Sequence, residues 1–298
     1  MSITIKEALQ RASFLLKDAG FAEPRREAVA LLAACLEKPL VYLYAHDGET
    51  IGSEASTNYF QCILRRAQGE PYAYLTGERE FMAVPFFVTP AVLIPRPETE
   101  FLVQVVAKEL AGVSTPRILE IGVGSGAVAI TLAQLLPDAQ ITAVDLSAAA
   151  LAVASRNTER HHLEHRIRLL CGDLYAPVSG EAFDAVVSNP PYIPASEIPC
   201  LPRDVKNYEP HLALDGGPDG LSLYRRLTTE LHILAQTPTL IAFEIGAGQA
   251  QAVIRLLQAA NYKNTRQVPD LAGIPRILLA QKPTAVVNGA LKGPTSKR

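Results

Sequence analysis

The chain lacks the cysteine pattern of a cross-linked or zinc-bound scaffold. Its four cysteines, Cys35, Cys62, Cys171 and Cys200, are scattered, and no Cys-x-x-Cys pair occurs. That fits reduced cytosolic thiols better than a disulfide framework or a zinc site. An excess of one charge is also missing. The net charge is −2 over 298 residues, which leaves no basic footprint for non-specific nucleic-acid binding. The start, Met1-Ser2-Ile3-Thr4-Ile5-Lys6-Glu7, has no apolar core of a signal peptide, and no run is long and apolar enough to span a bilayer. Internal repeats are absent. A cytoplasmic protein without membrane contact is expected. What is present is core material. Hydrophobic residues make up 48% of the chain and charged residues 19%, enough for one large domain and a small one.

Residues 1–70 read as a small helical bundle. Thr4-Ile5-Lys6-Glu7 is a capping box, Leu9, Ala12, Leu15, Leu16 and Ala19 follow at helical spacing, and Gly20 closes the helix. Pro24 opens a second helix with Ala28, Leu31, Leu32 and Cys35 on its inner face. A short third helix runs from Pro39 to Tyr44, and a fourth starts at Ser53 and runs through Ala67 to Gly69. The bundle has no catalytic constellation; it reads as a docking module for a macromolecular substrate, or more plainly as a structural cap. Residues 71–95 read as a β-hairpin linker, with strands at 76–81 and 85–88 joined by 82–84. In Leu93-Ile94-Pro95-Arg96-Pro97-Glu98-Thr99-Glu100, Pro97 opens a helix whose first-turn carboxylates suit its dipole. This segment is either ordinary capping or a lid over a neighbouring cofactor.

From residue 117 strands and helices alternate. Strands fall at 117–121, 141–145, 167–170, 183–187 and 239–244, and helices at 127–136, 147–159, 221–234 and 250–259. A last strand pair covers 263–268 and 276–281. Such alternation with apolar strands predicts an α/β fold, a mostly parallel sheet covered on both faces, its last strand antiparallel. This domain takes residues 96–283, and 284–298 read as a disordered tail.

Asn189-Pro190-Pro191-Tyr192 follows the apolar run 183–187. Neither proline donates a ladder hydrogen bond, and each biases the residue before it toward extended geometry, so the strand must stop. Asn189 is left at the carboxyl end of a strand, the edge at which open α/β sheets bind ligands. Its amide oxygen and the Pro190 carbonyl are two acceptors able to hold the hydrogens of a substrate –NH2 group and aim its nitrogen. Tyr192 offers a flat face for a planar amide or base. The bland alternative is a Pro-rich turn capped by Asn. Gly122-Val123-Gly124-Ser125-Gly126 lies between a strand and a helix, where glycines admit positive φ and close approach of a ligand. Asp145 ends the next strand and can accept from ribose hydroxyls. A nucleoside-containing cofactor follows, although Gly122-x-Gly124-x-x-Ala127 also fits a dinucleotide fingerprint. Glu120 favours S-adenosyl-L-methionine, because a carboxylate beside the loop repels pyrophosphate and tolerates a sulfonium or ammonium. Asp173 offers an acceptor for adenine amino hydrogens, or else caps a turn. The Pro-rich loop 193–211 is a candidate for substrate binding. His161-His162-Leu163-Glu164-His165 has a zinc-like spacing without further ligands nearby, so a solvated turn and no metal are expected.

Taken together, Glu120 to Gly126, Asp145, Gly172-Asp173-Leu174 and Asn189-Pro190-Pro191-Tyr192 resemble the class I S-adenosylmethionine-dependent methyltransferases that act on amide or exocyclic amino nitrogens. More narrowly, Gly77-Glu78-Arg79-Glu80-Phe81, the 93–100 segment, Glu209-Pro210 and Leu214-Asp215-Gly216-Gly217-Pro218-Asp219-Gly220-Leu221 resemble the peptide chain release factor glutamine methyltransferase family, over residues 1–282. The resemblance implies a Rossmann-like sheet and methyl transfer to the glutamine amide nitrogen (N5) of the Gly-Gly-Gln motif in release factors; the charge balance, for its part, gives no expectation of direct nucleic-acid binding. It implies that Glu120, Gly122, Val123, Gly124, Ser125, Gly126, Asp145, Asp173, Leu174 and Asn189 hold the cofactor. It assigns the substrate and the catalysis to Asn189, Pro190, Pro191 and Tyr192. Members often carry an aromatic where Met82 and Leu174 stand, so no stacking is implied at those positions. No general base is evident. Two other substrates stay open: a ribosomal-protein glutamine, and an adenine N6 in nucleic acid, which the same tetrapeptide serves on a flipped base. The near-neutral charge and the lack of a basic recognition domain speak against the second. A non-enzymatic adaptor that only senses a nucleoside is the remaining reading.

Overall fold

Thr4 starts the first helix, α1 (Ile5–Asp18), by the reciprocal pairing its sequence signals: its side chain accepts the Glu7 amide, and the Glu7 carboxylate accepts the Thr4 amide. This computed structural model describes residues 3–282, so the tail expected at 284–298 lies outside the described residues. A two-residue strand, β1 (Ile3–Thr4), pairs antiparallel with β2 (Thr50–Ile51), a feature too short to leave a period in the sequence. The helices α2 (Pro24–Leu36), α3 (Leu40–Ala45) and α4 (Ser53–Ala67) pack with α1 around Leu9, Leu16, Leu31, Leu32 and Tyr59. The Tyr59 hydroxyl donates to the Ala28 carbonyl at 3.0 Å, which satisfies its one polar atom inside that core.

The linker differs from expectation at both ends. Thr76 closes a short helix, α5 (Tyr72–Thr76), and Gly77 stops it at φ 72°. The hairpin is β3 (Glu78–Phe81) with β4 (Val84–Phe87), and its turn is the pair Met82-Ala83 at φ 52° and 58°. Two positive-φ residues match the twist of the flanking strands, so the turn needs one residue fewer than the sequence suggested. His161, from the zinc-like spacing, places Nε2 3.0 Å from the Pro85 carbonyl and packs its ring on Phe86.

Beyond the linker the order is α6 (Thr99–Leu110), β5 (Arg117–Ile121), α7 (Ala127–Leu135), β6 (Gln140–Asp145), α8 (Ala148–Arg160), β7 (Ile167–Cys171) and β8 (Ala185–Ser188). Then come α9 (Arg203–Tyr208), α10 (Ser222–Thr229), β9 (Leu240–Glu244), α11 (Ala250–Ala259), β10 (Asn264–Pro269) and β11 (Pro275–Gln281). The seven-stranded sheet has the order β10-β11-β9-β8-β5-β6-β7, and only β11 runs against its neighbours. Successive residues of β5 face opposite cores: Ile118 packs with α6 and α7, Leu119 with α10 and α11. The loop at 193–211 is not structureless. Pro199, Pro202 and Pro210 stand at the starts of a turn at 198–200, of α9 and of a turn at 211–213. A fixed φ suits a first helical position, so these prolines begin helical turns. The helix expected at 221–234 ends at Thr229 and continues as a 3-10 turn.

Strand order reverses between β5 and β8, which lie side by side with Ile121 opposite Ser188. That is the switch point where such sheets open a crevice. The residues that follow these two strands are the glycine turn and Asn189.

Candidate active site

A cavity of about 390 Å³ opens at the carboxyl ends of β5 to β8, within the usual size for small-molecule sites. One wall is the turn at 122–126. Gly122, Gly124 and Gly126 stand at φ 81°, 53° and 84°, conformations that residues with a Cβ rarely adopt. Asp145 braces this turn from β6: one carboxylate oxygen accepts the Gly124 amide at 2.9 Å and the other the Ser147 amide at 2.9 Å. On the far side Asn157, fully buried on α8, donates to the Ser125 carbonyl at 2.8 Å. The same side chain accepts the Phe87 amide at 2.7 Å and donates to the Phe87 carbonyl at 2.8 Å, tying the hairpin to the turn.

Glu120 lines the cavity, is 3% exposed, and leaves Oε2 without a partner among the described residues. No lysine or arginine among the described residues pairs with it, and burial pushes its carboxyl well above the usual carboxylate range. Asp173 also lines the cavity, but both of its oxygens accept from Arg226, at 3.0 and 2.9 Å. Any adenine contact by Asp173 therefore uses lone pairs that Arg226 leaves over. Leu174 is buried in the wall at φ 46°, and Leu146, still 57% exposed, lines it as well. The sequence reading missed Leu146 and Arg226. Leu146 had a signal, its place directly after a strand-end carboxylate; Arg226 had none.

The opposite wall carries the tetrapeptide. A Cβ built on Gly122 would stand 3.9 Å from the Asn189 backbone carbonyl oxygen, so turn and tetrapeptide lie close together across the β5–β8 boundary. Asn189 Nδ2 donates to Thr99 Oγ1 at 3.1 Å, and no hydrogen bond among the described residues engages Asn189 Oδ1 or the Pro190 carbonyl. Asn189, Pro190 and Pro191 line the cavity; Tyr192 does not. Its ring packs against the core around Tyr224 and Phe243, and its carbonyl accepts Gln249 Nε2 at 2.8 Å. The Tyr192 ring thus lies against this core and not among the residues that line the cavity. Behind it lies the glycine-rich segment 216–220. A Cβ on Gly216 would fall 2.8 Å from the Tyr192 backbone, and one on Gly220 2.3 Å from the Tyr192 carbonyl oxygen. Glycine is required there because another backbone passes through the space of a side chain.

The segment around Pro97 also does something other than cap a helix. The helix begins at Thr99, and Glu100 accepts the Met82 amide at 2.8 Å. Arg96 lines the cavity and pairs at 2.5 Å with Glu209, whose side chain is 2% exposed and also accepts the Ile94 amide at 3.2 Å. Burial raises the Glu209 carboxyl, against the pull of Arg96. The pair fastens the 193–211 segment to the cavity rim.

These residues fit S-adenosylmethionine. The buried, unpaired Glu120 oxygen suits a cation, whose charge would favour the ionised carboxylate, Asp145 stands where ribose hydroxyls are read, and Leu146 and Leu174 offer an apolar bed for a base. Residues 7–77 match the family model described as PrmC N-terminal domain, and residues 97–199 the one described as Methyltransferase small domain. The release factor glutamine methyltransferase of Moorella thermoacetica is 45% identical, over 94% of this chain and 99% of that one. That of Koribacter versatilis is 37% identical, over 95% of this chain and 100% of its own length. The chain belongs to the release factor glutamine methyltransferase family. It is an S-adenosylmethionine-dependent methyltransferase with the Rossmann-like class I sheet that its family membership and strand order require. The solved hMettl16 catalytic domain, in complex with a 3′UTR hairpin, shares this fold at a TM-score of 0.55 and 15% identity, over 79% of this chain and 83% of that one. No helix among the described residues is long and apolar enough to cross a membrane.

Proposed function

We propose that this enzyme methylates the side-chain amide nitrogen of the glutamine in the Gly-Gly-Gln motif of peptide chain release factors, in the cytoplasm, with residues 1–70 docking the protein substrate. The observation that carries this reading is the Asn189 carboxamide: its –NH2 end is tied back to Thr99, no hydrogen bond among the described residues engages its oxygen, and the residue lines the same cavity as the glycine turn. An amide nitrogen is a poor nucleophile, since its lone pair is delocalised into the carbonyl. Asn189 Oδ1 and the Pro190 carbonyl hold its two hydrogens and hold the nitrogen to one approach direction. Fixing that direction supplies roughly 7–11 kcal/mol in the best cases. The same two acceptors stabilise positive charge as it develops on nitrogen. Bound against the glycine turn, S-adenosylmethionine supplies a methyl group activated by its sulfonium. Glu120 and Asp145 hold the cofactor, and the Arg96–Glu209 pair keeps the cavity rim closed to excess water. No base is needed before transfer; the methylated nitrogen is strongly acidic and sheds its proton to solvent afterwards.

The test is incubation with labelled S-adenosylmethionine and, separately, a release factor, its Gly-Gly-Ala variant, ribosomal proteins and duplex DNA. Label on the release factor alone, lost in the variant, is expected. Label on DNA or on ribosomal proteins, or retained in the variant, would overturn the reading.

A further inference from the structure

Thr99 and Glu244 stand 145 residues apart in sequence and meet beneath Asn189. Both are buried, Thr99 at 6% and Glu244 at 1% exposure, and Thr99 Oγ1 donates to Glu244 Oε2 at 2.6 Å. Thr99 is the first residue of α6, and Glu244 the last of β9. We infer that Thr99 and Glu244 are positioning residues that fix which end of the Asn189 carboxamide faces the substrate. The inference rests on the reading that Asn189 orients the substrate amide.

The reason lies in hydrogen-bond polarity. A carboxylate only accepts, and a threonine hydroxyl has a single proton. With that proton directed to Glu244, Thr99 shows Asn189 only lone pairs. Asn189 must then turn its –NH2 end to Thr99, as observed at 3.1 Å, and its oxygen to the cavity. A substrate –NH2 group meets an acceptor. With the chain reversed, –NH2 would face –NH2 and no productive bond would form. Without the anchor, the carboxamide is free to turn, and the two orientations differ little in shape. Glu244 is itself held in place: the Tyr224 hydroxyl donates to its backbone carbonyl at 2.7 Å, and the Tyr192 side chain lies beside its carboxylate.

The test uses Thr99→Val, Thr99→Ser and Glu244→Gln in the full chain, with Asn189→Ala as the control. For each, kcat, KM for the release factor, the Kd of S-adenosylmethionine and Tm are measured. Thr99→Val keeps the shape and removes the polarity, so kcat should fall about 100-fold, the scale of a misplaced reacting group, with cofactor Kd unchanged. Thr99→Ser should restore kcat. Glu244→Gln can donate or accept toward Thr99, so its kcat should lie between those of wild type and Thr99→Val. Folded Thr99→Val turning over at the wild-type rate would overturn the inference, as would a parallel loss of cofactor affinity or no rescue by serine. If Thr99→Val fails to fold, Glu244→Gln decides, and a wild-type kcat there overturns it. If Asn189→Ala keeps the wild-type kcat, the underlying reading fails instead, and the two failures are told apart.

Discussion

The two walls of the cleft are braced from different distances. The glycine wall is held by Asp145, whose bonds reach 21 residues back to Gly124 and 2 forward to Ser147. The Asn189 wall is held from afar: Thr99 is 90 residues from Asn189, and Gln249 is 57 from Tyr192. A locally encoded wall serves the cofactor, whereas a wall assembled by the whole fold serves the reacting amide. Damage to the first should therefore show in cofactor affinity, and damage to the second in turnover.

The hardest blow to the distant wall is Gly220→Ala. The added methyl would stand 2.3 Å from the Tyr192 carbonyl oxygen and 2.5 Å from Gln249 Nε2, on a backbone at φ 73°. The tetrapeptide must shift, and methyl transfer should fall on the order of 100-fold while calorimetry finds the cofactor affinity retained. An equal loss of affinity would show that the walls are not separable. Asp145→Ala is the mirror experiment. It removes two charged hydrogen bonds from the turn; if about one bond's worth, 1.5–3 kcal/mol, is lost from cofactor binding, Kd should rise roughly 10- to 100-fold with kcat at saturation unchanged.

Asn157→Ala sharpens the comparison differently, because this residue ties the glycine wall to the hairpin. It leaves the Phe87 amide, the Phe87 carbonyl and the Ser125 carbonyl without partners. Urea unfolding should show about 1–3 kcal/mol of destabilisation, with only a small change in kcat.

The smallest effect is one of pH, and on the distant wall it centres on Glu244. Burial raises the Glu244 carboxyl to about 7; nearby Glu98 raises it further, while Thr99, Arg276 and Tyr192 lower it, and Tyr224 holds its backbone. A carboxyl raised on folding contributes stability that is present below its unfolded value of 4.5 and is lost as pH rises through about 7. Activity should run the other way, because only the ionised carboxylate commits the Thr99 proton. Across that window kcat should rise and the urea midpoint should fall, and Thr99→Val should flatten the first curve without flattening the second. A kcat that falls over the same window would contradict the role of the carboxylate.

Distance also separates what the sequence discloses from what it hides. The glycine turn, Asp145 and the halt at Asn189 are local facts, set by residues within one strand and its exit, and they are legible one segment at a time. The sheet is legible for the same reason, since alternating apolar strands and amphipathic helices leave few ways to cover both faces. Thr99 with Glu244 and Arg226 with Asp173 are pairs chosen by strand order and loop path, and no spacing announces them. Tyr192 shows what a local reading leaves open: an aromatic beside Asn189 suggests stacking, while its half-buried ring packs against the core around Tyr224 and Phe243. The run from Leu214 to Leu221 was recognisable as a pattern, but its physical purpose, room for the Tyr192 backbone, exists only in three dimensions.

Single-turnover methyl transfer by Asn189→Ala, from labelled S-adenosylmethionine to a release factor, tests the role of the carboxamide most directly when cofactor affinity is measured on the same preparation. With the oxygen that holds the substrate amide removed, the rate should fall about 100- to 1000-fold while the affinity stays near that of the wild type. An unchanged rate, or a loss of affinity large enough to explain the whole fall, would contradict it.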